Sequence, residues 1–348
     1  MTIEPSPFGM TARGKRYHLS LILFFLLFGA LLAIATFRDL EISRIMTHYS
    51  LKEGEYYTSD LFANFFEAVG MFPRYLLLGF SALSLGWFFH KSFPYKALRI
   101  LSLVVGAGAA VYLLSGGFRD MILYPMRHMI AEDAAGAIAA IRATSPTVYL
   151  ISYVLSAAVV GVSFYLTREV SVRVWRRLAL FACIFFLVTY LSDAFVSSLK
   201  SYVDRVRFRS MNSAYGREIG GFDYYTRWYE VKGYAALFRA TPLTEYTDSF
   251  RSFPSGHTEN AALSYSLILL IDCLQIERKD AKVALWVLPI LWTGLTAMGR
   301  IVAGAHFMSD VLFGGTIPFV LVMLFREIFL RSFRGVKEMY PFLFRKKE

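Results

Sequence analysis

Two histidines and a set of cations, gathered in three short groups, are the residues here that could do chemistry on a phosphate-like anion. Lys200 and Arg207 are separated by six residues; Pro254-Ser255-Gly256-His257 forms the second group; Arg300, His306 and Asp310 form the third, with five and then three residues between them. If a helix begins near Ala305, His306 and Asp310 fall four apart on one helical face. The carboxylate can then accept one ring N–H and leave the other nitrogen unprotonated, the state that attack on phosphorus requires. Pro254 and Gly256 shape a turn into a helix whose free backbone N–H groups make an anion site. Ser255 adds a hydroxyl donor, and His257 is placed to protonate the departing oxygen. Lys200, Arg207 and Arg300 supply cationic donors for the phosphoryl oxygens. No His, Asp or Glu cluster has metal-ligand spacing, so the expectation is a reaction with no metal and no cofactor.

The elements that must position these groups are membrane helices. Hydrophobic residues fill 56% of the 348 positions and only 18% are charged, against about 25% charged in an ordinary soluble domain. Apolar runs of spanning length recur near 18–36, 71–90, 97–117, 147–167, 177–198, 259–276, 283–304 and 306–330. The predicted fold is all-α: a polytopic bundle of about eight transmembrane helices, with the first retained as an anchor. The bundle is expected to contain a six-helix catalytic core, and the chain divides into N-terminal helices and outer loops (1–146), a catalytic membrane core (147–330) and a basic tail (331–348). The net charge of +11 is scattered between apolar runs, which excludes a compact nucleic-acid-binding domain. Cys183 and Cys273 lie inside apolar runs and are not placed for a disulfide.

Arg13, Lys15, Arg16, Lys91, Lys96, Arg99, Arg168, Arg173, Arg176, Arg177, Arg278, Lys279, Lys282 and the tail all fall on one side of this topology. That side is the cytoplasm, with both termini there. Loops 37–70 and 118–146 mix acids and bases and are expected outside, 118–146 as an interfacial amphipathic helix or an ordinary loop helix. The long outer segment 199–258 is the one expected to carry function. All three chemical groups sit at outer ends of spans. Arg205, Arg209 and Arg217 read as snorkelling or topology residues. Asp193 and Asp272 read as structural acids, and Tyr224, Tyr225, Trp228 and Tyr229 as an aromatic belt.

In order and spacing, Lys200-x6-Arg207, Pro254-Ser255-Gly256-His257 and Arg300-x5-His306-x3-Asp310 resemble the type-2 phosphatidic-acid phosphatase superfamily, in its membrane lipid phosphatase branch and of bacterial type. The resemblance implies that His306 is phosphorylated, that Asp310 supports it and that His257 is the acid. It also implies that Lys200, Arg207, Ser255, Gly256 and Arg300 bind phosphate. Phe208 stands where the family has proline, and Gly299 where it has serine. The expected activity is hydrolysis of a lipid phosphomonoester or pyrophosphate at the outer face of the cell membrane. Undecaprenyl pyrophosphate is the favoured substrate, because Arg217, Arg227, Lys232, Arg239 and Arg251 offer more charge than one monoester needs. Phosphatidate and phosphatidylglycerophosphate are its rivals. Phosphotransfer to another lipid uses the same groups. Haloperoxidase chemistry belongs to soluble relatives, and a channel would carry polar residues along its spans. The expected partners are the lipid phosphate and membrane lipids.

Overall fold

The computed structural model describes residues 12–129, 134–233 and 249–340. Six helices come first: α1 (Ala12–Thr47), a short α2 (Leu61–Val69), α3 (Phe72–Ser92), α4 (Lys96–Met129), α5 (Ala134–Thr167) and α6 (Val172–Val203). Two short helices, α7 (Phe208–Asn212) and α8 (Ala214–Glu218), and a 3-10 turn over Gly221–Tyr224 cap one end of the bundle. Then come α9 (Gly256–Ala262), a 3-10 stretch (Leu263–Ile268), α10 (Leu269–Cys273), α11 (Lys279–Val302), α12 (Met308–Phe325) and α13 (Arg334–Met339). Seven helices among the described residues are long and apolar enough to cross a membrane. The run expected at 259–276 is instead a compound element, α9–3-10–α10, less regular than a single spanning helix.

Packing follows from the small and the aromatic residues. Cβ atoms built at Gly86 and Gly106 would each meet the other glycine's Cα at 3.0 Å or less, so α3 and α4 touch backbone to backbone. Phe181, Phe185, Val188, Leu263, Ile268 and Leu269 fill the fully buried centre where α6 meets the compound element. By contrast α1 keeps Phe25 and Leu26 64% exposed, the surface of a helix bathed in lipid. The expected interfacial helix over 118–146 is absent as a separate element, because α4 runs to Met129 and α5 starts at Ala134; residues 130–133 lie outside the described ones.

Ion pairs mark the two ends of the bundle. At one, Tyr17 donates to Glu327 and Arg326 pairs with Asp272 at 2.5 Å, so the described N- and C-terminal helices meet there. At the other, the ends of α1, α2, α6, α9, α11 and α12 converge on the three chemical groups.

Candidate active site

Chain geometry brings the groups together. α6 stops because Asp204 takes the left-handed conformation (φ 53°), its N–H bonding back to Lys200 O; Asp tolerates that region better than most residues. The chain reverses there and threads Arg205, Arg207 and Arg209 into the protein, all nearly inaccessible. Lys200 Nζ donates to Arg251 O at 3.2 Å. Arg207 caps α7, its backbone N–H donating to Ser249 O at 2.9 Å. Phe208 takes the first helical position of α7, where proline is favoured, and adds a ring against Phe222 at 5.0 Å.

The second group is clamped to the third. Ser255 N donates to Asp310 O at 2.9 Å, and Gly314 leaves room for that turn, since a Cβ there would lie 2.5 Å from Ser255 O. Ser255 Oγ accepts from Thr258, capping α9. Gly256 brings backbone close to Lys200, whose Nζ would be 3.4 Å from a Cβ at that position. His257 packs edge-on to Tyr124 of α4, with ring centroids 5.3 Å apart. Its Nε2 has no hydrogen-bond partner among the described residues.

His306 and Asp310 meet by a different route from the expected helical face. Gly304 (φ 62°) turns the chain out of α11, and α12 starts only at Met308, so His306 lies before the helix. Asp310, in the first turn, reaches back to accept from Phe307 N at 2.8 Å. His306 Nδ1 lies 2.6 Å from Ser252 O and 3.7 Å from Asp310 Oδ2. A carbonyl only accepts, so Nδ1 carries the hydrogen and Nε2 the lone pair. Asp310 is shared out: Arg205 Nη1 at 2.7 Å, Ser252 Oγ at 2.5 Å and the Phe307 amide claim its oxygens. Its hold on the imidazole therefore runs mainly through Ser252. Burial, and after it the Arg207 guanidinium, pushes the His306 imidazole down to about 3.

Arg205 is no snorkelling residue. Fully buried, it reaches Thr226 O (2.9 Å), Ser309 Oγ (2.8 Å), Asp310 and Asp39 Oδ2 (3.1 Å), with its guanidinium 4.0 Å over the Phe307 ring. Asp39 of α1 also accepts from Ser309 N at 3.0 Å and from the Ser309 hydroxyl. Arg209 is likewise inside, stacked on Tyr56 at 4.6 Å and 3.9 Å from Glu67. Arg300 is fully buried and its Nη1 forms an ion pair with Glu67 Oε1 at 3.0 Å, while none of its three guanidinium nitrogens has a hydrogen-bond partner among the described residues. Arg217 alone of the three stays peripheral, paired with Glu53. The sequence signals for this support were Arg205, Arg207 and Arg209 at alternate positions, and acids at the ends of apolar runs, which in a membrane protein mark function by default.

The other acids are structural. Asp193 pairs with Arg74 (2.5 Å), which also bonds Asn260, rather than with a motif cation. Among the supposed belt aromatics, Trp228 donates to Thr36 Oγ1 at 3.0 Å and stacks near Phe253, while Tyr225 lies against Phe307; Tyr229 is exposed. They seam the segment carrying Tyr225 and Trp228 to α1 and α12. A cavity of about 340 Å³ opens between α6 and α9, lined by Asp193, Lys200, Arg251, Gly256, Glu259 and Asn260 among others.

A bundle with seven helices long and apolar enough to cross a membrane defines a multi-pass membrane protein, with buried guanidinium groups and two histidines gathered at one end. Residues 181–334 match the PAP2 superfamily, which is consistent with a type-2 phosphatidic acid phosphatase superfamily member and supports a phosphoester hydrolase of the phosphatase type. The match begins within α6 and ends at the start of α13; α1 to α5 lie outside it. No curated protein and no solved structure matches the chain.

Proposed function

We propose that the protein is a metal-independent lipid phosphate phosphatase, working through a phosphohistidine at the outer face of the membrane. The observation that carries this is the His306 Nδ1–Ser252 O contact of 2.6 Å, which leaves Nε2 as a nucleophile among Arg207, Arg300 and His257. Nε2 attacks phosphorus, the bond from phosphorus to the lipid oxygen breaks, and His257 gives that oxygen its proton. His257 then takes a proton from water as the water attacks the phosphohistidine, releasing phosphate and restoring both rings. Burial and the Arg300 guanidinium hold His257 well below the ordinary imidazole range, so the incoming phosphate dianion, by offsetting that charge, is what lets it carry the proton. Lys200, Arg207 and Arg300 hold the phosphoryl oxygens throughout.

The cavity between α6 and α9 gives a lipid headgroup a side approach while its tail stays in hydrocarbon. Basic residues such as Lys91, Arg99, Arg168 and Arg177 gather at the end opposite the site, which supports a cytoplasmic position for that end and for both termini. Undecaprenyl pyrophosphate remains the favoured sequence-based substrate, but its support narrows. Arg251 lines the cavity, Arg217 is paired with Glu53, and Arg239 lies outside the described residues. One phosphoryl group suits the geometry, as in a monoester or the terminal phosphate of a diphosphate.

Purified protein given undecaprenyl pyrophosphate, phosphatidate and phosphatidylglycerophosphate should release phosphate without an acceptor lipid and with chelator present. Acid-labile, base-stable label should appear on the wild type and be missing from His306→Ala, whose turnover should vanish. Normal phosphate release by His306→Ala sinks the mechanism, and release that needs an acceptor lipid makes the protein a phosphotransferase. In a cysteine-free background, an impermeant thiol reagent on intact cells should reach Glu218→Cys and not Ser332→Cys; the reverse pattern overturns the orientation.

A further inference from the structure

We propose that Glu67 is a counter-anion built into the phosphate site, which holds Arg300 when no phosphate is bound and keeps affinity for the phosphate product low enough for release. The inference rests on the phosphatase reading above. Glu67 belongs to α2, outside the matched residues 181–334, and is 3% exposed. Its carboxylate stands 3.0 Å from Arg300 and 3.9 Å from Arg209. Arg300 is thus engaged on the Nη1 side by an ion pair alone, and none of Nε, Nη1 and Nη2 has a hydrogen-bond partner among the described residues. Buried guanidinium donors ordinarily all find partners, so the open side is shaped for a second anion.

The chain departs from the family motif next to this carboxylate. Gly299 replaces the family's serine next to Arg300, and a Cβ there would come within 2.9 Å of Phe66 Cβ, the residue preceding Glu67. Where the family carries a hydroxyl donor, this chain packs the helix that brings in a negative charge. Both changes weaken anion binding. A phosphate dianion held by Lys200, Arg207 and Arg300 away from water would be slow to leave. A carboxylate sharing Arg300 repels the bound anion and stabilises the empty site, so product departs more easily.

The test uses full-length protein in detergent, titrated calorimetrically with inorganic phosphate and with orthovanadate. Glu67→Gln should bind both anions more tightly, by roughly 10–100-fold, the scale of one like charge acting across a site of effective dielectric near 20. In turnover, kcat and KM should fall together as product release slows. Glu67→Asp, which keeps the charge, should stay near wild-type affinity. A role confined to holding α2 in place predicts the opposite sign, weaker anion binding in Glu67→Gln, and that result or an unchanged affinity overturns the proposal. Because the variant leaves Arg300 without its partner, it can be less stable. The rise in melting temperature on adding phosphate should nevertheless exceed that of the wild type, and a smaller rise also counts against the proposal. Wild-type protein that binds neither anion overturns the phosphatase reading, and this inference with it.

Discussion

The proton inventory of the proposed nucleophile follows from its surroundings. With its imidazole pushed down to about 3 by burial and Arg207, His306 stays neutral across the mildly acid range. In kcat/KM, which reports the free enzyme, no loss should trace to His306 between about pH 7 and pH 4.5; an inflection near 6.5 that a His306 environment mutant such as Ser252→Ala moves would refute this. Stability runs with the opposite consequence. The folded value lies below the unfolded value of about 6.5, so the unfolded chain takes the proton first and the native state loses stability as pH falls from about 6.5 towards 3. Arg205 makes a second test. Arg205→Gln leaves Asp39 and Asp310 buried without their cation, and removing one partner of such a group costs about 3–5 kcal/mol. A substantial fall in melting temperature and at least a tenfold fall in kcat are expected, and a variant with normal kcat would remove Arg205 from the support of Asp310. His306, His257 and the three motif cations were legible because their spacing is unusual. Arg205 and Arg209 were not, because an arginine near a membrane boundary looks the same in sequence whether it faces water or lies inside; only burial and partners separate the cases.

At the scale of elements, the long apolar runs were legible as helices because lipid leaves the backbone few other choices. The site's local geometry was harder to read. An i, i+4 spacing implies a shared helical face, but Gly304 delays α12 by three residues, and the pair meets through a side chain reaching back from the first turn. α2 escaped notice because nine residues cannot span a bilayer and its Glu67 made the stretch resemble a loop. The glycine under it gives a counterintuitive expectation. Gly299→Ser restores the family residue yet should harm the protein, since overpacking of this kind costs about 1–3 kcal/mol and shifts α2 off Arg300. Melting temperature and kcat should both fall; a serine variant as stable and active as the wild type would mean that α2 is not seated on that glycine.

Across the whole molecule, the matched residues 181–334 hold the proposed reactive groups, while α1 and α2 contribute the acids paired with Arg205 and Arg300 beside them. The catalytic half leans on chain that precedes it by more than a hundred residues, which a reading confined to motifs cannot reveal. The link through α1 has a further consequence. Most of α1 floats against lipid, but Asp39 near its end is locked to Arg205 and Ser309, one residue from Asp310. A helix whose flank is set by acyl chains and whose tip is tied to the support of the proposed nucleophile is expected to couple bilayer thickness to turnover. A mismatch between its apolar length and the surrounding hydrocarbon is relieved by tilt or sliding, and either motion pulls on Asp39. Protein reconstituted in vesicles of 14-, 18- and 22-carbon phosphatidylcholine should therefore show a maximum in kcat at one thickness, with KM for a lipid of fixed headgroup much less affected; a flat kcat across the series would show that α1 adjusts without disturbing the site.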